Sequence, residues 1–119
     1  MKTLIANGLV VNSTGTARAD VLIDGETIAA VLAPGSRLLG FDVAANVDAV
    51  IDASGKYVIP GGIDAHTHME MPFGGTSASD TFETGTRAAA WGGTTSIVDF
   101  VVQYAGENVI DQYTLWQAK

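Results

Sequence analysis

The chain contains no cysteine, which excludes disulfides and thiolate metal ligands. Histidine is nearly as scarce, with two in 119 residues. Basic residues are outnumbered by acidic ones, 6 to 13, for a formal charge of −7. Lys2, Arg18, Arg37, Lys56, Arg87 and Lys119 stand singly along the chain. Without a basic cluster nothing grips nucleic-acid phosphates or an anionic membrane surface, so neither is an expected partner. No apolar run approaches a membrane span. The N-terminus is broken by Asn7-Gly8 before a signal-peptide core could form. The default expectation is a cytoplasmic soluble protein. Glycine-rich nucleotide-binding loops and the Gly-x-Ser-x-Gly nucleophile elbow are also absent. Mean hydropathy is nevertheless +0.25. A small domain buries a modest share of its surface, so an apolar average in a short chain implies that something else normally covers part of it.

What is present is concentrated at His66-Thr67-His68, which follows the run Val58-Ile59-Pro60-Gly61-Gly62-Ile63-Asp64-Ala65. Residues two apart in a strand point to the same side, about 6–7 Å apart along the backbone. The two imidazoles can therefore converge on one ion, and imidazole is a good ligand for zinc and similar divalent metals. Paired histidines at this spacing also occur by chance on exposed strands. The preceding glycines and apolar strand place this pair at a strand's carboxyl end, where α/β barrels carry their chemistry. A catalytic metal site usually takes at least three protein ligands, and this chain offers no third histidine.

The first half reads as strands. Asn7-Gly8 is a type I′ turn signal between Thr3–Ala6 and Leu9–Val11, and Asp24-Gly25-Glu26 is a hairpin turn between Asp20–Ile23 and Thr27–Leu32. Pro34-Gly35 ends that pair, and residues 35–47 look like loop. Ala53-Ser54-Gly55 separates strands at Ala49–Asp52 and Lys56–Ile59. The expectation for residues 1–57 is a small antiparallel β-module. From residue 58 the character changes. Gly62–His66 reads as a buried strand, and Met69–Ser79 as a loop. Asp80 to Trp91 reads as a helix with Asp80 and Glu83 as capping box and Gly92-Gly93 as left-handed stop. Thr94–Val102 reads as a second strand. Strand, helix, strand is a βαβ unit, and its apolar strands suit a parallel sheet covered on both faces. From Asn108, Ile110, Tyr113 and Trp116 have helical spacing in a helix still in progress at Lys119. One βαβ unit does not make a stable parallel sheet, so the chain reads as the opening portion of a longer protein. Asp64 and Asp99 interrupt or end apolar strands, and hydrogen bonding to nearby loop backbone is the expected role of each.

Pro60-Gly61-Gly62-Ile63-Asp64-Ala65-His66-Thr67-His68 resembles the first-strand motif of cyclic amidohydrolases. Met69-Glu70-Met71-Pro72-Phe73-Gly74-Gly75-Thr76 and the segment from Asp80 to Thr95 are similar to the dihydropyrimidinase and hydantoinase group in order and spacing. The resemblance covers essentially the whole chain. It implies an α/β fold: part of a small β-sandwich domain (1–57), then the first βαβ unit of a (β/α)8 barrel (58–119). It implies a site of two divalent metal ions, zinc by expectation, with His66 and His68 as ligands. The remaining ligands are a bridging carboxylated lysine, two further histidines and an aspartate, all from later barrel strands, so this chain holds no catalytic residue of its own and is expected to be inactive alone. The implied reaction is attack of metal-activated water on a cyclic amide carbonyl, opening a dihydropyrimidine or hydantoin to an N-carbamoyl amino acid. A cytoplasmic homotetramer in pyrimidine catabolism is the implied setting.

The related dihydroorotases carry an arginine shortly after the histidine pair to hold a substrate carboxylate. No arginine occurs between His68 and Arg87. Met71 and Phe73 stand there instead, which suits a small, neutral cyclic amide or ureide. Both could equally be packing beneath a long loop. An allantoinase-like enzyme is the alternative activity. A non-catalytic scaffold like the collapsin response mediator proteins is a second alternative, although those have lost metal ligands that are intact here. A freestanding β-rich binding module with incidental histidines is a third.

Overall fold

A computed structural model of the chain describes residues 1–38 and 40–119. It divides into two compact units, Met1–Pro60 and Gly61–Lys119. The elements of the first are β1 (Lys2–Asn12), β2 (Gly15–Asp24), β3 (Thr27–Leu32), β4 (Arg37–Leu38), β5 (Phe41–Asp42), a 3-10 turn (Ala44–Asn46), β6 (Ala49–Asp52) and β7 (Tyr57–Val58). Those of the second are β8 (Gly62–Thr67), β9 (Pro72–Phe73), β10 (Thr76–Ser77), α1 (Phe82–Trp91), β11 (Thr94–Asp99) and α2 (Val109–Gln117). The chain is thus mixed α/β, as its patterning predicts.

The first unit is a five-stranded sheet in the order β3-β2-β1-β6, with β7 also on β1. Asn7-Gly8 does not make the expected turn. β1 runs straight through it, with a register shift against β2 between Ile5 and Gly8. The signal is genuine but is used as a bulge: Asn7 takes a left-handed φ of 64°, a conformation asparagine tolerates. A bulge leaves a backbone donor without its ladder partner, and here the Asp20 carboxylate accepts it, Asn7 N to Asp20 Oδ1, 2.7 Å. The other oxygen of Asp20 accepts from Gly35 N at 2.9 Å. A carboxylate only 5% exposed is thereby satisfied on both sides. The true hairpin between β1 and β2 comes later, pairing Asn12 with Gly15.

The module is not wholly antiparallel. β6 and β7 do not pair with each other. Both run parallel to β1, Thr3 opposite Ala49 and Leu9 opposite Tyr57. The Ala53–Gly55 turn therefore interrupts one edge strand opposite the bulge, where Ala53 N donates to Ala6 O and Asn7 Nδ2 to Asp52 Oδ1. Gly8 is needed at this point, since a Cβ there would lie 2.5 Å from Val58 Cγ2. Of the stretch 35–47, residue 39 lies outside the described residues; around it are the short β4–β5 pair and the 3-10 turn rather than plain loop. Leu4, Ala6, Leu22 and Val43 form the core, with Ala30, Leu32 and Val47 against it.

In the second unit β8 and β11 pair in parallel with α1 between them in sequence, the predicted βαβ arrangement. α1 begins one residue later than the expected cap. Thr81, not Asp80, is the N-cap: its Oγ1 accepts from Thr84 N, and Thr84 Oγ1 accepts from Thr81 N. Glu83 instead pairs with Arg87 one turn on, at 2.7 Å. Gly93, at φ 88°, supplies the left-handed stop after the Gly92 cap. β11 ends at Asp99 rather than Val102. α2 is capped by Asn108, whose Oδ1 accepts from Ile110 N, and it ends at Gln117. The expectation that β8 is buried is not met, for Ile63 is 72% exposed. Parallel strands are buried when neighbours cover both faces and both edges. Among the described residues β8 pairs with β11 alone.

Candidate metal centre

β8 carries His66 near its carboxyl end, and His68 follows the last strand residue, Thr67. Alternation sends Thr67 to the inside, where it is buried, and both histidines to the opposite, exposed side. Asp64 Oδ1 accepts the His66 backbone N–H at 3.1 Å, which fixes the chain just ahead of the first imidazole. The Nε2 atoms of His66 and His68 lie 2.9 Å apart, with ring centroids 4.8 Å apart and planes at 80°. Two nitrogens this close either share a proton or turn both lone pairs onto one cation. At the usual zinc–nitrogen distance of about 2.0–2.1 Å, that spacing spans an angle of about 90° at a single ion. The pair therefore fits as two ligands of one divalent metal. Among the described residues no third histidine, cysteine, aspartate or glutamate joins them.

Asp99, the last residue of β11, and Phe100 after it contact this segment. Asp99 Oδ1 accepts from Thr67 Oγ1 and from Met69 N, both at 3.0 Å. These two donors lie on either side of His68 in the chain. Asp99 Oδ2 accepts the indole N–H of Trp116, on α2, at 2.9 Å. Partial burial alone would raise the Asp99 pKa. The hydrogen bonds from Trp116, the Met69 backbone, Thr67 and the Phe100 backbone outweigh it and hold the carboxyl below the usual range. The next residue, Phe100, lies against both imidazoles, with centroids 4.4 Å from His66 and 5.4 Å from His68.

The segment after His68 is closed on itself. Glu70, at a left-handed φ of 50°, donates its N–H to Asp80 O, and its carboxylate accepts from Phe82 N at the start of α1. The expected loop contains a β-hairpin, β9 with β10, turned by Gly74 and Gly75 at φ 57° and 81°. Both values suit the two-residue type I′ turn. Phe73 sits at its tip, 74% exposed, while Met71 is half-buried and its carbonyl accepts from Ala78 N. Tyr104, after β11, donates its hydroxyl to Pro72 O at 3.3 Å.

The sequence points to His66, His68 and the backbone-binding roles of Asp64 and Asp99. It does not point to Thr67, Phe100 or Trp116 as parts of this constellation. Trp116 carried one available signal, since a buried indole N–H seeks an acceptor. Phe100 carried none, because an aromatic within an apolar strand, where the sequence puts it, is ordinarily core.

The profile of the amidohydrolase family matches residues 49–116. The chain is 57% identical over 118 residues to a D-hydantoinase of Streptomyces coelicolor, covering 99% of this chain and 25% of that protein. It is 45% identical over 119 residues to a D-hydantoinase of Geobacillus stearothermophilus, covering 24% of that protein. The solved dihydropyrimidinase of Brevibacillus agri superposes with a TM-score of 0.84 at 49% identity, covering 99% of this chain and 24% of that one. The chain thus spans about a quarter of the length of the relatives it matches.

Proposed function

The chain belongs to the amidohydrolase family, and from that premise we propose that it is the amino-terminal portion of a metal-dependent enzyme that opens dihydropyrimidine or hydantoin rings to N-carbamoyl amino acids. The observation that carries the reading is the convergent pair His66 and His68, 2.9 Å apart at the end of β8. Identity of 57% to a D-hydantoinase supports the substrate class. In the proposed whole protein, residues 1–57 contribute to a small β-sandwich and residues 58–119 open a (β/α)8 barrel. That places the pair at the barrel's carboxyl face, the usual site of barrel chemistry.

His66 and His68 hold one of two divalent ions, zinc by preference for imidazole donors. Metal ions bound there would supply Lewis-acid polarisation of the amide carbonyl and an activated water near neutral pH. This chain's residues perform the supporting work. Asp64 and Asp99 fix the backbone before the first imidazole and around the second. Phe100 covers one side of both rings. Met71 and Phe73, in the loop that follows, receive the ring substituent of a small neutral substrate. The proton transfer to the leaving nitrogen falls to a residue outside these 119, as do the other ligands. A cytoplasmic homotetramer is the proposed working form; among the described residues no helix is long and apolar enough to cross a membrane.

The test is metal content and hydrolysis by the intact enzyme, with dihydrouracil, hydantoin and allantoin compared. His66→Ala and His68→Ala should each remove roughly one metal equivalent and nearly all turnover, as loss of a direct ligand does. A variant that keeps full metal content and rate sinks the assignment. Preferred turnover of allantoin would favour the allantoinase-like alternative.

A further inference from the structure

We propose that the dipeptide Asp99-Phe100 is the positioning element of the histidine pair, an inference that rests on the metal-site reading above. Two imidazoles on an exposed strand end have free χ angles and a flexible backbone behind them. A ligand pair is effective only if both freedoms are removed before the ion arrives. In this chain the last residue of β11 and the residue after it remove one each.

Asp99 acts on the backbone. Its Oδ1 bonds to Thr67 Oγ1 and Met69 N, the residues immediately before and after His68. His68 lies beyond the last residue of β8, so the strand ladder does not hold it. The carboxylate replaces the ladder there. The carboxylate is itself oriented by Trp116 Nε1 on its other oxygen. Asparagine at position 99 keeps one carbonyl oxygen but puts an NH2 where the second acceptor stood, so it cannot satisfy all three donors at once.

Phe100 acts on the side chains. Its ring tilts 39° and 42° to the two imidazole planes at contact distance from both. One rigid ring therefore limits the rotation of two ligands. Phe100 is 43% exposed in this chain, which spans about a quarter of its relatives' length, so packing and positioning are separated by experiment. Partners of metal-bound histidines typically change metal affinity by about 10–100-fold when mutated.

The experiment is cobalt(II) binding to the apo form of the intact enzyme, by competition with a chelator and by the d–d absorption spectrum. Phe100→Leu and Asp99→Asn should each weaken cobalt binding by about 10-fold or more and change the band shape. Phe100→Trp, which restores a flat ring, should recover the wild-type spectrum, whereas a general packing defect would not be repaired by a larger side chain. Thermal unfolding of the apo forms identifies a variant that has failed to fold, and in that case Phe100→Trp and Asp99→Asn carry the test. Wild-type cobalt affinity and spectrum in Phe100→Leu overturns the positioning role of Phe100 while leaving the metal site intact. The same result in Asp99→Asn overturns that of Asp99. If His66→Ala also leaves cobalt binding unchanged, the metal site itself is wrong and the inference falls with it.

Discussion

At the scale of single residues, the pair of histidines is legible because strand geometry converts a spacing of two into a shared side. What surrounds them is less legible, because it depends on which residues of β11 meet β8, and register is not written in either strand alone. Asp99 shows both cases. A carboxylate closing an apolar strand advertises that it needs donors, but Trp116 as one of them follows only from the placement of α2. The lowered pKa of Asp99 carries a sign. Its unfolded-state value is the ordinary carboxylate one, and the folded value lies below it. The stabilisation is therefore fully present above the ordinary carboxylate range and is lost as pH falls through the folded value. Denaturant unfolding of wild type and Asp99→Asn should differ most near neutral pH and converge in strong acid. A difference that grows on acidification contradicts the assignment. Phe73 carries a second expectation. Trimming it to Ala should shift relative kcat/KM between dihydrouracil and bulky hydantoins by up to ~10–200-fold if it lines an apolar pocket. Equal changes for every substrate would mark it as structural.

At the scale of elements, the differences from the sequence reading share a cause. Local signals name a conformation, not its use. Asn7-Gly8 signals a left-handed residue, and the chain spends it on a bulge inside β1 because the Asp20 carboxylate is there to take the extra donor. Ala53-Ser54-Gly55 signals a turn correctly. Whether its flanking strands pair with each other or both with β1 is a tertiary matter, and β1 offers the longer edge. The cap of α1 shows the same point in miniature. Asp80 and Thr81 are both competent caps three residues before a side chain that can reach back, and the reciprocal pair formed is Thr81 with Thr84. Thr81→Ala should therefore cost about 1 kcal/mol, within a usual range of about 0.5–2. Asp80→Ala should cost less, since Asp80 only accepts from the Thr84 hydroxyl at 3.3 Å. Chemical denaturation of both variants checks the order, and a larger loss for Asp80→Ala would return the cap to the position read from the sequence.

At the scale of the whole molecule, the apolar average and the exposed apolar surface are one observation seen twice. The buried hydrophobic residues, Leu4, Ala6, Ala19, Val21, Leu22, Val43 and Ala53, all lie in the first unit among the described residues. The second unit exposes Ile63, Val98, Ile110 and Leu115 instead. Its two-stranded parallel sheet leaves an outer edge on β8 and another on β11, and open edges of apolar strands recruit other chains. Two imidazoles leave most of an ion's coordination to water, so metal held by this chain alone is weakly bound. We therefore expect residues 1–119, produced by themselves, to associate, to bind zinc far more weakly than the intact enzyme, and to show no hydrolysis of hydantoin or dihydrouracil. Size-exclusion chromatography, dye binding to exposed apolar surface and a metal-supplemented assay on this chain measure the three expectations separately. A monodisperse monomer that unfolds cooperatively and hydrolyses hydantoin would mean that the exposed faces of β8 and β11 need no cover and that the pair His66–His68 suffices for catalysis, against everything the coordination arithmetic predicts.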